Sequence, residues 1–221
     1  EPTSGKAMTT DARPDPRRIA LFLLLMVLVG LNLRPALSSL APLLVRIKED
    51  TGLSPLAIGA LTTLPVLCLG IFAPLAPWLA KRTGPENTLA LALGLLILGL
   101  MLRGAPPLPL LFGGTLLVGA AIGVAGTLLP ALVKRELPGG ADLMTGVYTM
   151  ALCLGGALGA GLSIPLADAM GSWRWSLVSW GLLAAVALLA WVSLMPRAPR
   201  NLPAPPPGGS MRELLGQPLA W

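Results

Sequence analysis

Apolar residues fall in six long runs along this chain, and charged residues gather in the gaps between them. The runs cover about 19–44, 54–80, 87–103, 108–133, 142–167 and 173–195. Each reaches or approaches the roughly 20 residues that a helix needs to cross a hydrocarbon core of about 30 Å. Proline and glycine recur inside the runs, as they do in membrane helices, where neighbouring elements re-satisfy the freed backbone. The pattern predicts an all-α membrane protein with six transmembrane helices over residues 19–195. The first run is too long for a signal-peptide core and is followed by further runs, so it is read as a retained span.

Outside the runs the texture changes. Residues 1–18 are polar, with Arg13, Arg17 and Arg18, and read as an N-terminal tail. Residues 196–210 are rich in proline and end in Gly208-Gly209-Ser210, the composition of a linker. Residues 211–221 turn apolar again and read as the start of a seventh segment, which breaks off.

Composition agrees with the pattern. Of the 221 residues, 54% are apolar and 12% charged, against about a quarter charged in soluble domains. That leaves too little polar surface for a water-soluble globule, so the lipid bilayer is the expected surrounding. The net charge of +6 raises nucleic acid as a partner, but the basic residues punctuate the gaps and form no single stripe, so none is expected. Their distribution sets an orientation instead. With the N-terminus inside, Lys6, Arg13, Arg17, Arg18, Lys81, Arg82, Lys134, Arg135, Arg197, Arg200 and Arg212 are cytoplasmic. Arg46, Lys48, Arg103 and Arg174 then lie outside, at or beyond the edges of the runs, and Arg34 alone falls in the interior of one. The asymmetry predicts both termini in the cytoplasm.

The chain has no histidine, which removes Ser-His and Cys-His triads, histidine bases and most zinc sites. Neither an enzyme nor a cofactor or metal requirement is expected. Cys68 and Cys153 lie inside apolar runs and read as packing residues.

Spans two and five share a string. Leu67-Cys68-Leu69-Gly70 recurs as Leu152-Cys153-Leu154-Gly155, and Pro-Leu-Ala follows each, at Pro74 and at Pro165. Spans one and four rhyme as well, Pro42-Leu43-Leu44-Val45-Arg46 against Pro130-Ala131-Leu132-Val133-Lys134. Duplication of a three-helix unit with inverted topology leaves such traces.

The 3+3 arrangement, the proline-rich segment after span six and the opening seventh segment resemble the N-terminal half of a major facilitator superfamily transporter. Between spans two and three that superfamily carries a motif of the form G-x-L-A-D-R-x-G-R-K. Here Leu79, Ala80, Arg82 and Gly84 match it, while Pro77, Lys81, Pro85 and Glu86 depart. Gly146, Gly155 and Gly159 keep the glycine spacing of superfamily antiporters in span five, with Ala160 where those have proline. Leu33-Arg34-Pro35, Leu61-Thr62-Thr63-Leu64-Pro65, Leu111-Phe112-Gly113-Gly114, Leu132-Val133-Lys134-Arg135 and Pro218-Leu219-Ala220-Trp221 are similar to the cyanate and nitroimidazole transporter family. The resemblance implies a bacterial inner-membrane carrier of twelve helices. A C-terminal six-helix half would complete a central site, and a small anionic or nitro-bearing solute would be moved by alternating access.

Arg34 is the leading candidate for the solute site. It lies fifteen residues into span one, roughly 22 Å from the cytoplasmic end. An unpaired cation at that depth costs from about 3 to more than 10 kcal/mol. No carboxylate lies in the interior of any run, which points to an anionic substrate as the partner. The plainer reading is that Arg34 snorkels to the headgroups or bonds helix carbonyls. Asn32, Thr62, Thr63 and Tyr148 are candidate polar contacts for the same cavity, each equally readable as a helix-internal or packing group. Arg82 and Gly84 are gating candidates through the motif. Gly119 and Gly123, like Gly155 and Gly159, have the i, i+4 spacing of close helix packing. The alternative function is a stand-alone six-helix scaffold, or a homodimeric carrier in which a second copy supplies the missing wall.

Overall fold

In the computed structural model, residues 16–137 and 140–195 are described. Most of the 1–18 tail, the whole 196–210 linker and the 211–221 segment lie outside the described residues. What is described is helical, and six of its segments are long and apolar enough to cross a membrane.

The first span is α1 (Pro16–Leu33), α2 (Pro35–Ser38), a 3-10 turn (Ala41–Leu43) and α3 (Leu44–Thr51) in succession. It therefore runs past the expected end near Leu44, and it is broken in two places. Proline explains both breaks. Pro35 has no N–H for the carbonyl of Leu31, and Pro42 has none for that of Ser38. Gly52, with φ of 67°, ends the span in the left-handed conformation.

The second span is α4 (Pro55–Phe72) followed by α5 (Leu75–Thr83), with Pro74 at the join. The Ser54 side chain caps α4 by accepting from Ala57 N. Then come α6 (Pro85–Gly104), α7 (Leu108–Glu136), α8 (Ala141–Met170) and α9 (Trp173–Leu194). Pro65, Pro130 and Pro165 are carried inside α4, α7 and α8 without ending them. Membrane helices tolerate this where neighbours and local adjustment satisfy the freed carbonyl.

Packing divides the helices into a front and a back. α6 lies against both α7 and α9, and the other principal pairs are α4 with α7 and α1 with α8. Of the most apolar stretch of each, 61% is buried in α7 but 17% in α4. α7 is thus the centre of the bundle and α4 its most outward helix. Leu67 and Ile71 of α4, and Met150 and Leu154 of α8, are exposed large apolar residues, as a lipid or partner surface requires.

Glycines set the close approaches. A Cβ on Gly119 would lie 2.8 Å from Pro65 Cα and 2.8 Å from Cys68 Cβ, so α7 meets α4 backbone to backbone. Gly123 continues that seam beside Leu69. On the other side, a Cβ on Gly159 would lie 2.7 Å from Pro35 Cα, and one on Gly155 would lie 3.1 Å from Pro35 Cδ. The two seams join spans four and two, and spans five and one. An inverted repeat exchanging 1 with 4 and 2 with 5 converts one into the other. Gly146 has no such neighbour within 4 Å and belongs to neither seam.

Adding a side chain at these seams forces backbones apart, at a cost of about 1–3 kcal/mol. Gly119→Val and Gly159→Val are each expected to lower Tm in detergent by several degrees, and Gly146→Ala to leave it unchanged. Equal losses at all three positions would contradict the seam assignment.

Candidate functional site

The break in span one places Arg34 in its own short joint. Arg34 caps α2, and its carbonyl accepts Leu37 N at 3.0 Å, Ser38 N at 2.9 Å and Ser38 Oγ at 3.0 Å. Ser38 Oγ also lies 2.9 Å from Gly156 O, which ties the joint to α8. The Arg34 side chain is exposed and lines a cavity of about 430 Å³ at the mid-height of the bundle.

Spans one, two, four and five supply the walls of that cavity, while α6 and α9 stand behind. Leu33, Arg34 and Leu37 come from span one, Val66 and Leu69 from α4, Gly123 and Thr127 from α7, and Tyr148 and Leu152 from α8. Arg34 is the one charged residue in this lining. Its guanidinium has no ion pair or hydrogen bond among the described residues. An apolar wall carrying a few convergent polar groups is the usual make-up of a small-molecule site.

The structure brings Arg34 and Tyr148 together in this cavity and sets the other polar candidates apart from it. Asn32 is turned into the bundle, 3% exposed, with Nδ2 donating to Leu28 O at 2.7 Å. It is two residues from Arg34, about 200° around a helix, so it faces away. Thr62 and Thr63 both donate to Gly59 O and lie outside the lining. Thr62 is on the stripe of Val66 and Leu69, one turn farther towards the α4 N-terminus. Ser38, one turn after Arg34, is engaged with backbone carbonyls. Thr127 is a lining residue that the sequence reading passed over. Its hydroxyl donates to Gly123 O at 2.8 Å, so its lone pairs are left for the cavity. The signal was available, because Thr127 falls one turn after Gly123 in span four.

Arg103 departs most from the sequence reading. Counted among the outer-loop cations because its run seemed to end there, it is instead wholly buried, at 0% exposure. α6 continues to Gly104, and Gly114 of α7 provides the room. A Cβ on Gly114 would meet Arg103 Cγ at 3.1 Å.

The carboxylates gather at the two ends of the bundle. Arg135 pairs with Glu86 and Glu136, and Trp191 Nε1 donates to Glu86 O at 3.0 Å, joining α6, α7 and α9 at one end. Arg46 pairs with Asp168 at 2.6 Å at the other, where Trp173 Nε1 donates to Asp50 at 3.0 Å. Of the motif residues, Arg82 stacks on Trp78 at 4.1 Å, and Gly84, with φ of 88°, turns the chain from α5 into α6.

Residues 17–221 match the Major Facilitator Superfamily. The chain belongs to that superfamily. It is 38% identical over 182 residues to an uncharacterized transporter of Bacillus subtilis, which covers 81% of this chain and 45% of that protein. It is 36% identical over 170 residues to the cyanate transport protein of Escherichia coli, covering 76% of this chain and 44% of the relative. It is 35% identical over 166 residues to the 2-nitroimidazole transporter of the same organism, covering 75% and 42%. The chain thus spans about half the length of the curated relatives it matches. The superfamily and the six apolar helices together make it a multi-pass membrane protein.

The placement of the two neighbouring side chains has a direct test. In a Cys68→Ala, Cys153→Ala background, Arg34→Cys is expected to react with a hydrophilic thiol reagent at least about tenfold faster than Asn32→Cys, because access governs the rate. Comparable rates would place the cavity elsewhere.

Proposed function

We propose that this chain is the N-terminal half of a secondary transporter that carries a small anionic or nitro-bearing solute, such as cyanate or a nitroimidazole, by alternating access. The observation that carries the reading is Arg34, a cation at mid-height in the cavity with no carboxylate partner among the described residues. A guanidinium offers a planar fork to a carboxylate-like or nitro group, and in an apolar surrounding such a bond contributes more than it does in water. Tyr148 and Thr127 supply neutral polar contacts beside it. Asn32, Thr62 and Thr63 act at one remove, through the helices they belong to. The names of two relatives, one for cyanate and one for 2-nitroimidazole, support a compact solute with concentrated negative charge.

A six-helix half has one wall of a central site, so a second six-helix half completes the carrier. The two glycine seams, at Gly119–Gly123 and Gly155–Gly159, keep this half rigid while it rocks against the other. Arg82 and Gly84 set the turn on the cytoplasmic side, where the excess of Lys and Arg also places both termini of this half, in the inner membrane.

Charge-assisted hydrogen bonds contribute about 1.5–3 kcal/mol, so losing one raises Kd by about ten- to a hundredfold. In the full-length protein, Arg34→Ala is expected to raise the Kd for cyanate or 2-nitroimidazole by that factor and to abolish uptake. Tyr148→Phe should cost less than about tenfold. Unchanged binding in Arg34→Ala, with the protein folded in the membrane, would exclude the anion site.

A further inference from the structure

Two cations lie inside this bundle, and Arg103 is the one that faces no cavity. Its guanidinium is fully buried, with Nη1 and Nε directed at backbone and hydroxyl and Nη2 without a partner. Nη1 donates to Ala36 O at 2.5 Å and Nε to Thr115 Oγ1 at 3.1 Å, while Thr115 in turn donates to Leu111 O at 2.7 Å. Ala36 is two residues beyond Arg34, in the four-residue helix α2.

The backbone ladder around α2 explains why Ala36 needs an outside donor. Leu37 N and Ser38 N turn back to Arg34 O, Ser39 N bonds Pro35 O, and the next bond is Leu43 N to Leu40 O. The ladder passes over Ala36 O. In a continuous helix Leu40 N would take that carbonyl. Where the helix is broken, the carbonyl is buried without a helical partner, and only a side chain can satisfy it in a water-free interior. Arg103 does so from α6, across the bundle. Gly114 makes the approach possible, since a Cβ there would lie 2.8 Å from Arg103 N.

We propose that Arg103 is a positioning residue for the solute site, holding the break in span one open so that Arg34 is presented to the cavity. The inference rests on the reading of Arg34 as the solute-binding cation. Arg103 touches no solute. It acts through Ala36, whose carbonyl has two competing donors: the guanidinium, which keeps α2 a separate short helix, and Leu40 N, which would extend it. Removing the guanidinium shifts α2 towards the extended arrangement and turns Arg34, at the start of α2, away from its present setting. The clip reaches three spans at once, with Ala36 in the first, Arg103 in the third and Thr115 in the fourth.

Thiol labelling of the full-length protein tests this without any substrate, so the result stands apart from whether Arg34 binds an anion. In the background lacking Cys68 and Cys153, Arg34→Cys and, separately, Thr127→Cys on the opposite wall are labelled with a hydrophilic thiosulfonate, with and without Arg103→Met. The proposal expects the rate at position 34 to change by at least about fivefold and the rate at position 127 to stay the same, since local rearrangement moves only the joint. A parallel change at both positions would mean general loosening of the bundle. No change at position 34 would mean that Arg103 does not set the joint. Either result overturns the proposal. Should Arg103→Met fail to reach the membrane folded, Thr115→Val, which removes the acceptor of Nε and keeps the side-chain shape, carries the same comparison.

Discussion

In hydrocarbon every backbone N–H and C=O must find a partner inside the protein, and the shape of this half follows from how that demand is met where helices break. Pro35 and Pro42 interrupt span one within the membrane. Side chains bond backbone carbonyls around the breaks, with Ser38 Oγ placed between the Arg34 and Gly156 carbonyls and Arg103 reaching Ala36 O, which the backbone ladder passes over. Hydroxyls elsewhere behave more simply. Thr63, Thr127 and Thr149 each donate to the carbonyl four residues back, on their own helix. The contrast between the two kinds of polar residue separates ordinary membrane helix from built joint.

The joint sits where it does because of the glycine seams. Gly155 and Gly159 let α8 come against Leu31 and Pro35, so the break in span one is backed by a helix at backbone distance. Gly119 and Gly123 do the same for α7 against Pro65 and Leu69. Pairing spans one with five and two with four leaves the cavity between the pairs. A residue at the joint between α1 and α2 then borders that space, and Arg34 holds that position. The repeat visible in the sequence and the geometry of the site are thus two consequences of one duplicated packing unit.

Much of this was legible in the sequence, for reasons that apply residue by residue. Helix number and identity follow from hydrophobic runs, because lipid imposes a minimum length and forbids long polar stretches. Arg34 stood out because a charge deep within a run is costly unless it snorkels or finds a partner. The glycine pairs at 119 and 123, and at 155 and 159, were readable from i, i+4 spacing, whereas Gly146 shares the motif and meets open space. Arg103 was misread because a charge at the end of a run looks like the membrane boundary. Burial there depends on Gly114 and Ala36, which lie in other helices, and no local pattern records that. Asn32, readable either as a cavity contact or as a helix-internal group, is the second, for a related reason. Two residues along a helix is a small step in sequence and more than half a turn in space.

The distribution of charge gives Arg34 its meaning. Among the described residues, arginine pairs with Glu86, Glu136, Asp168 and Asp50, all near the ends of spans and partly open to water. Pairs of that kind contribute little individually and mostly fix how helix ends meet. No described carboxylate pairs with Arg34, which lines the cavity, or with Arg103, which is buried in the last turn of α6. Arg103 is held by a carbonyl and a hydroxyl, dipoles that engage Nη1 and Nε, while Nη2 has no partner and the charge is left uncompensated. Arg34 has neither, and among the described residues its donors are all free; in the proposed role an anion would meet them directly. A carboxylate fixed beside it would lower the cost of burying the charge, and it would also compete with any anionic cargo. In the proposed role, the same absence that makes Arg34 expensive to keep leaves it available to bind and release an anion.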